Sequence, residues 1–364
     1  MISFSPTEEQ EMIVSMVKQF ASDEMRKIYR ECDESGEIPD SVVDTAWRMG
    51  LISNNIPEEY GGFGGNHSAI TGSLIAEELA WGDLSMAIHI LCPALFSYPI
   101  LEMGTDTQRK KYLPLFCDEK YKVATAALIE PRFGFDPCSL STIARLEGNE
   151  YVLNGEKCYV PLVTEADFLL VYAAENSSSQ GFIIEKGTKG LQISERESNM
   201  GIKALATYEL KLEDCRVPKD NRLGGLDGCD FDRIINCSRV ALSAMAVGLA
   251  KAAFEYSRDY AKERAAFGEP IASRQAIAFM LAEMAIEIDA TRLMTWEAAW
   301  KLDRKEEATK ESSLVKSYAD DMVIMVTDRA LQILGGHGYV REHPAELWFR
   351  NGRGFVTFDG MAVV

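Results

Sequence analysis

The order of two kinds of pattern along the chain constrains its fold more than any other feature. Amphipathic helical patterns fill the first third, and short β-rich runs separated by turn residues fill the middle. The last third holds three long amphipathic stretches, at about residues 230–265, 273–302 and 311–334, which predict the long helices of a bundle. Because strands and helices do not alternate, this order argues against a doubly wound parallel sheet.

The first third predicts four helices. Ser5, Pro6, Thr7 and Glu8 have the pattern of a capping box with proline at the first helical position. Three further helices are predicted at residues 41–50, 69–80 and 108–116.

The middle third predicts strands. Asn154–Gly155 lies between the β-rich runs 151–153 and 157–160, which predicts a tight hairpin. Further strands are predicted at residues 168–173, 181–184, 190–193 and 208–212, at the spacing of a sandwich or barrel. We therefore predict a mainly α protein with a central β domain. It has an N-terminal helical domain over 1–120, a middle β-sandwich or barrel over 121–227 and a C-terminal four-helix bundle over 228–364.

Charge and composition argue against several kinds of partner. The chain has 38 Lys and Arg against 56 Asp and Glu, a formal net charge of −18. This argues against nucleic acid and against an anionic membrane surface as primary partners. No apolar run approaches the roughly 18 residues of a membrane span, and the N-terminus lacks the pattern of a signal peptide. A single arginine can still bind a phosphate on an acidic protein.

Cysteine and histidine usage predicts a cytoplasmic protein without a metal site. The eight cysteines form no CxxC pair, and thiols scattered in this way are typical of a reducing compartment. The four histidines show no metal-ligand spacing.

Several motifs, in order along nearly the whole chain, resemble those of the acyl-CoA dehydrogenase family. Each is short, but their order and separations are specific. The matching segments are Pro57–Gly62 (PxxxGG in the family), Ile129–Pro131 (T-E-P), Glu263–Gly268 followed by Gln275 (ER..FG…Q), Gln332–Gly338 (QILGGxG) and Arg350.

This resemblance implies a helix–β–helix subunit, a tetramer built from dimers, and FAD lying across a dimer interface. It implies α,β-dehydrogenation of an acyl-CoA thioester, in which a carboxylate removes the α-proton. The β-hydrogen leaves as hydride to the flavin, and the electrons pass to an electron-transfer flavoprotein.

The resemblance assigns the catalytic base to Asp359. The family's Y-E-G-T segment reads Phe358-Asp359-Gly360-Met361 here, and the position of the alternative base found in some members is Ser238. Aspartate is one methylene shorter than glutamate, which costs about 100-fold in rate if nothing compensates. Asp359 with Gly360 is also a common turn pair, so a purely structural role stays open.

Two further residues are candidates for substrate binding. The backbone N–H at residue 359 is a candidate donor to the thioester oxygen, within the segment that includes Gly360. Arg239 is a candidate to face the coenzyme or flavin region, and its alternative role is an ion pair on its own helix.

The flavin contacts that the family draws from its own subunit are altered. Ile129 replaces the threonine of T-E-P, Phe135 the serine of G-S-D, and Tyr159-Val160-Pro161 the W-I-T segment. Met361 replaces the threonine of the base loop. Each lost polar contact is worth about 0.5–1.5 kcal/mol, and proline has no N–H to donate.

The flavin contacts that the family draws from the neighbouring subunit are present. Arg264 matches the pyrophosphate-binding arginine, a fixed fork of donors suited to phosphate. The other matching residues are Phe267, Gln275, Gln332, Gly335 and Gly336.

This asymmetry leaves more than one function open. The first is an autonomous FAD-dependent acyl-CoA dehydrogenase. The second is a catalytically depleted subunit that completes the FAD site of a homologous partner in a heteromer. The third, oxygen-dependent flavin chemistry, has no specific support in the sequence.

Overall fold

The computed structural model describes residues 5–176 and 178–364. Its N-terminal part is helical: α1 (Glu8–Phe20), α2 (Arg26–Ser35), α3 (Asp40–Arg48), α4 (Ala69–Gly82), α5 (Leu84–Leu91), α6 (Ala94–Met103) and α7 (Asp106–Tyr112). The capping box predicted at Ser5–Glu8 is wrong by two residues. The N-cap is Thr7, whose hydroxyl accepts from the Gln10 N–H while the Gln10 side chain accepts from the Thr7 N–H.

The middle part is one curled sheet of seven strands among the described residues, with the form of a half-barrel. The strands are β1 (Ala124–Ala127), β2 (Ile143–Glu147), β3 (Glu150–Pro161), β4 (Phe168–Glu175), β5 (Ser178–Glu185), β6 (Leu191–Arg196) and β7 (Thr207–Pro218). Their order is β1-β4-β2-β3-β7-β6, and β5 pairs with β4. Most pairs are antiparallel, but β4 runs parallel to β1 and β2.

The hairpin predicted at Asn154–Gly155 is wrong, because both residues lie inside the single strand β3. The turn instead joins β2 to β3, where Glu147 pairs with Glu150. Asn154 uses its side chain to bind the backbone N–H of Asp214 on β7, at 2.9 Å. A Cβ at Gly155 would lie 2.5 Å from the Thr142 hydroxyl, so this glycine permits a close approach at a bulge.

The C-terminal part contains α8 (Phe231–Glu263), α9 (Gln275–Asp303), α10 (Thr309–Leu334), α11 (Gly336–Tyr339) and α12 (Ala345–Arg353). A two-stranded hairpin, β8 (Ala265–Ala266) and β9 (Glu269–Pro270), joins α8 to α9. Helices α8, α9, α10 and α12 pack together as the bundle. The predicted domain boundaries at 120/121 and 227/228 stay predictions, and both fall in connections between elements.

Helix α8 is the central element of the core. It is the one described helix long and apolar enough to cross a membrane by itself, but 83% of its most apolar window is buried inside the protein. It packs against α4, α9 and α10. Ion pairs add to this packing: Lys251 of α8 pairs with Glu78 of α4 at 2.6 Å, and Arg292 of α9 pairs with Glu77 of α4 at 3.0 Å.

The crossing of α4 and α8 depends on a missing side chain. A Cβ at Gly248 would lie 2.0 Å from the Glu77 carbonyl oxygen and 2.9 Å from the Trp81 nitrogen. Both are backbone atoms, so neither can rotate away, and the helices could accept a side chain only by separating.

Replacing Gly248 by Ala is therefore expected to lower the free energy of unfolding by about 2–3 kcal/mol, as overpacking of a rigid contact does. Urea denaturation followed by circular dichroism measures this. Gly336→Ala is the matched control, because a Cβ there meets no atom within 4 Å. Equal free energies of unfolding for the two variants would contradict the prediction, because they would show that α4 and α8 can accept a side chain at this crossing without cost.

Candidate active site

A cavity of about 770 Å³ lies between the middle sheet and the C-terminal helices, and we call it the site cavity. Its volume is in the range of small-molecule sites. The sheet side contributes residues 129–135 and 158–159, and the helical side contributes Arg239 of α8 and one face of α10. The segment Val356–Asp359 closes the third side. Five of the predicted site residues line it: Ile129, Phe135, Tyr159, Arg239 and Asp359.

Asp359 is held by the two residues beside it. Phe358 is buried, and its ring packs edge-on against Phe355 at 5.6 Å. Gly360 has a φ of +64°, and a Cβ there would lie 2.6 Å from Leu128, so only glycine fits this turn. The Gly360 N–H donates to the Ser238 hydroxyl at 2.9 Å. The aspartate–glycine turn therefore forms, and the same turn presents the Asp359 carboxyl group to the site cavity.

Burial and positive charge act on the pKa of the Asp359 carboxyl group in opposite directions. Its Oδ1 is buried and has no hydrogen-bond partner among the described residues. Burial raises the pKa of Asp359 above its ordinary value, and Asp136 acts in the same direction. Arg239 and Lys316 lower that pKa by favouring the carboxylate. A buried oxygen without a donor is suited to accepting a proton.

The sequence analysis missed a polar face of α10 that lines the same cavity. It consists of Ser313, Lys316, Ser317 and Asp320. Lys316 donates to both Asp320 oxygens at 2.8 Å and to the Phe355 carbonyl at 2.9 Å, which ties the base loop to α10. Burial raises the pKa of Asp320 to about 6, and the charge of Asp359 adds to this, while Lys316 opposes it. The helical spacing of these four polar residues was the signal that could have revealed them.

Arg239 projects from α8 into the site cavity and forms no ion pair with a described residue of its own helix. Its Nη1 donates to the Ser313 hydroxyl at 2.8 Å. Ser238 occupies the position of the alternative base, and its hydroxyl accepts a hydrogen bond from the Gly360 N–H.

The altered flavin contacts fall in two places. Ile129 is buried, Phe135 and Tyr159 are half-buried, and all three line the site cavity. Pro161 is buried at the end of β3, where it pairs with Thr207, and it does not line the cavity.

Tyr159 reaches the cavity because β3 is irregular there. The register against β7 shifts between Lys157 and Val160, and Tyr159 adopts a left-handed φ of 53°. A bulge re-aims a side chain that regular alternation would place elsewhere. The Tyr159 N–H donates to Glu197 Oε1 at 3.2 Å, while Glu197 Oε2 is buried without a partner among the described residues.

Below the cavity, Glu130 organises the loop that carries Phe135. It accepts from the backbone N–H groups of Ser141 and Thr142, both at 2.7 Å, and from Lys157 at 3.1 Å. Burial opposes its ionisation, but Lys157 and these N–H groups hold the pKa of Glu130 below its ordinary value. Burial lowers the pKa of Lys157 to about 8. Glu130 of the Ile129–Pro131 motif is thus a structural anchor.

The residues that match the family's contacts from the neighbouring subunit lie elsewhere, around the C-terminal end of α8. We call them the neighbour-facing group: Arg264, Phe267, Gln275, Gln332, Gly335 and Gly336. Arg264 follows that end, and its carbonyl accepts from the Ile271 N–H at 2.8 Å, which brings the start of α9 close. The Tyr260 hydroxyl pairs with His337 at 2.7 Å, which brings the Gly335–Gly336 turn close. All six predicted residues of this group are exposed, and Phe267 stands at the hairpin tip.

The two groups of residues are too far apart to meet in one chain. Arg239 and Arg264 are 25 positions apart on and just past one helix, which at about 1.5 Å per residue is roughly 37 Å. The structure therefore brings Ile129, Phe135 and Tyr159 together with Asp359, and separately gathers the neighbour-facing group, but it does not bring the two sets together.

Family models match most of the chain in three consecutive parts. They are the acyl-CoA dehydrogenase N-terminal domain over residues 7–120, the middle domain over 125–215 and the C-terminal domain over 231–362. The chain belongs to the acyl-CoA dehydrogenase family. This confirms the resemblance inferred from the motifs and the three-part fold, and it places the chain among flavoprotein oxidoreductases.

Individual relatives support the same assignment. The caffeyl-CoA reductase–Etf complex subunit CarC of Acetobacterium woodii is 34% identical, with 98% of this chain and 96% of the relative covered. The mitochondrial short-chain specific acyl-CoA dehydrogenase of Rattus norvegicus is 34% identical, with 98% and 88% covered. The solved butyryl-CoA dehydrogenase of Megasphaera elsdenii has a TM-score of 0.88 at 30% identity, with 97% and 95% covered.

No metal centre emerges in the part of the chain that the structure describes. Residues 5–176 and 178–364 contain no group of three or more His, Cys, Asp or Glu side chains placed to hold a metal ion. All eight cysteines are free thiols in this structure.

Replacing Arg239 by Gln is expected to raise the pKa of Asp359, because a cation that favours the carboxylate is lost. The ionised form then appears only at higher pH than in the wild type. The titration is followed by NMR of the carboxyl carbon, assigned with Asp359→Asn. Arg239→Lys keeps the positive charge and should titrate close to the wild type. A lower pKa in Arg239→Gln would contradict the electrostatic assignment.

Proposed function

We propose that this protein is an FAD-dependent dehydrogenase that introduces an α,β double bond into an acyl-CoA thioester. The observation that carries the proposal is the Asp359 carboxyl group, presented to the site cavity with a buried, unpartnered oxygen. The family assignment supplies the reaction class, and the cavity supplies a place for it.

In this proposal Asp359 accepts the α-proton of the thioester. Arg239 and Lys316 favour its ionised form, while burial keeps it basic enough to take the proton. The backbone N–H of Asp359 binds the thioester oxygen and stabilises the negative charge that develops there. The Ser238–Gly360 hydrogen bond fixes the turn that positions both groups. Arg239 adds a positive charge on the substrate side of the cavity.

The residues present fit a flavin in two respects. Ile129, Phe135 and Tyr159 give the cavity apolar and aromatic walls suited to a planar ring. One buried oxygen of Asp359 and one of Glu197 have no donor among the described residues, and a cofactor rich in N–H and O–H groups can provide one. Bound FAD would supply the acceptor for the hydride that leaves the β-carbon.

The neighbour-facing group supports a site shared by two chains. Arg264 and Gln332 are exposed, and backbone at Gly335 and Gly336 is open, since a Cβ there meets no atom within 4 Å. Because this group lies roughly 37 Å from Arg239, it can serve a cofactor only in another subunit. We therefore propose a homo-oligomer, with a homotetramer as the expected form.

A second candidate function is supported by the loss of polar flavin contacts. Ile129 and Phe135 present carbon where the family presents hydroxyl groups, and Met361 is buried. In this alternative the chain is a catalytically depleted subunit of a heteromer, and it contributes Arg264, Gln275 and Gln332 to the FAD site of a homologous partner.

We further propose an electron-transfer flavoprotein as the electron acceptor and the cytoplasm as the location. The similarity to CarC, a subunit of a complex with Etf, supports the first. The free thiols support the second, since a reducing compartment keeps cysteines unpaired.

Replacing Asp359 by Asn is expected to lower turnover of an acyl-CoA by about 10²–10⁴-fold, the usual contribution of a general base. Single-turnover reduction of bound FAD measures this step directly. Asp328→Asn, on the exposed face of α10, is the control and should retain turnover. An Asp359→Asn variant that reduces FAD at the wild-type rate would contradict the base assignment.

Replacing Arg264 by Ala is expected to weaken FAD binding by about 10–100-fold, because a charge-assisted contact to phosphate is lost. The measurement is the visible flavin absorption of the chain purified alone and titrated with FAD. Arg258→Ala is the matched control, a half-buried arginine near the C-terminal end of α8 that pairs with Asp259. One FAD per wild-type chain would contradict the depleted-subunit alternative. No flavin in the wild-type chain alone would contradict the autonomous enzyme, and the Arg264 test would then move to the co-expressed heteromer.

A further inference from the structure

The space directly behind Asp359 and Gly360 is filled by the chain itself. Residues 361–364, which we call the tail segment, follow the base loop and are almost completely buried: Met361 2% exposed, Ala362 2%, Val363 7% and Val364 2%. A hydrophobic segment packed beside a candidate catalytic group determines how much apolar ligand that group can meet.

Two small apolar cavities border the tail segment. The first is lined by Leu95, Leu128, Tyr172 and Ser238 together with Gly360, Ala362 and Val363. The second is lined by Tyr98, Cys237, Val363 and Val364, and it reaches His67 and Arg233. Each offers only about 10 Å³, roughly the space of one water molecule.

The two small cavities border the same N-terminal part of α8 as the site cavity. Pairs of adjacent residues separate the site cavity from the first small cavity. Arg239 and Asp359 line the site cavity, whereas their neighbours Ser238 and Gly360 line the first small cavity. Arg233 then marks the far end of the second small cavity. Six residues of helix separate Arg239 from Arg233, which is about 9 Å.

We propose that the tail segment is the fixed wall of the acyl slot and that Val363 sets the upper limit on acyl-chain length. This rests on the proposed function, since the α-carbon of the substrate must meet Asp359. The remainder of an acyl chain then continues into apolar space, and the tail segment occupies that space. With room for roughly one methyl-sized group beyond the reacting carbons, the substrate class is a short acyl-CoA of about four carbons.

Within the tail segment, Val363 is the residue that lines both small cavities, where it meets Pro99 of α6 and Ile234 of α8. Val364 anchors the segment by packing into the space that Gly72 leaves free, where a Cβ would lie 2.8 Å from the Val364 Cβ. Since Val364 is anchored there and residues 361–364 are all buried, the segment acts as a wall and not as a mobile lid.

The far end of the slot is charged, which limits how far an enlarged slot can extend. Glu102 accepts from Arg233 at 2.5 Å and contacts His67 Nδ1 at 2.7 Å. An alkyl chain that reached this ion pair would have to desolvate it. Enlarging the slot at Val363 should therefore admit chains of about six carbons and not much longer ones.

The test compares Val363→Ala with the wild type on butyryl-, hexanoyl- and dodecanoyl-CoA. We expect the kcat/KM ratio of hexanoyl- to butyryl-CoA to rise about 15-fold, from a factor of about 4 for each methylene newly buried. Dodecanoyl-CoA should gain little. Val326→Ala is the matched control, a fully buried valine of α10 that lines neither small cavity.

The outcomes separate the two proposals. Wild-type turnover of butyryl-CoA, with a hexanoyl ratio in Val363→Ala no higher than in Val326→Ala, would overturn the wall and leave the proposed function intact. Equal wild-type turnover of hexanoyl- and butyryl-CoA would also overturn the wall and leave the proposed function intact. Calorimetric titration with the same acyl-CoAs covers a chain that binds substrate without turning it over, and the affinity ratio then tests the wall. Absence of both binding and turnover would overturn both proposals.

Discussion

The backbone contact of α4 with α8 at Gly248 determines where every candidate functional group lies. Because Gly248 has no side chain, α8 passes directly over the Glu77 carbonyl and becomes the buried axis of the molecule. One end of that axis supplies Ser238 and Arg239 to the site cavity. The other end leads to Arg264, which is exposed. A rigid helix of this length separates the two predicted groups of site residues, so the proposed cofactor site needs a second chain.

The chemistry of the cavity depends on a balance between burial and charge. Burial raises the pKa of Asp359 and so favours its protonated form, whereas Arg239 and Lys316 favour its ionised form. Lys316 also binds Asp320 and the Phe355 carbonyl, so the same amine neutralises a carboxylate and fixes the base loop. Ser238 and Gly360 hold the other side of the loop. Electrostatics and loop geometry are therefore coupled through a few side chains of α8 and α10.

The sequence predicted the long helices better than the turns and connecting segments. The long helices of the last third are observed at 231–263, 275–303 and 309–334, close to their predicted ranges. Asn154–Gly155 misled, because a dipeptide that favours a tight turn also tolerates a bulge, and the Asn154 contact with β7 decided between them. The location of the tail segment could not be predicted, since hydrophobic residues after a turn do not say which space they fill.

The sequence by itself determined the fold class, the family and the identity of the candidate base, since helical periodicity, β-rich runs and ordered motifs are local properties of the chain. Tertiary structure alone decided that Asp359 has an unpartnered oxygen, that Asp320 and Lys316 share its cavity and that Val363 lies behind it. The physical reason is that burial, orphaned polar atoms and occupied volume depend on residues distant in sequence. Only the packing of α8 against the sheet and α10 brings those residues together.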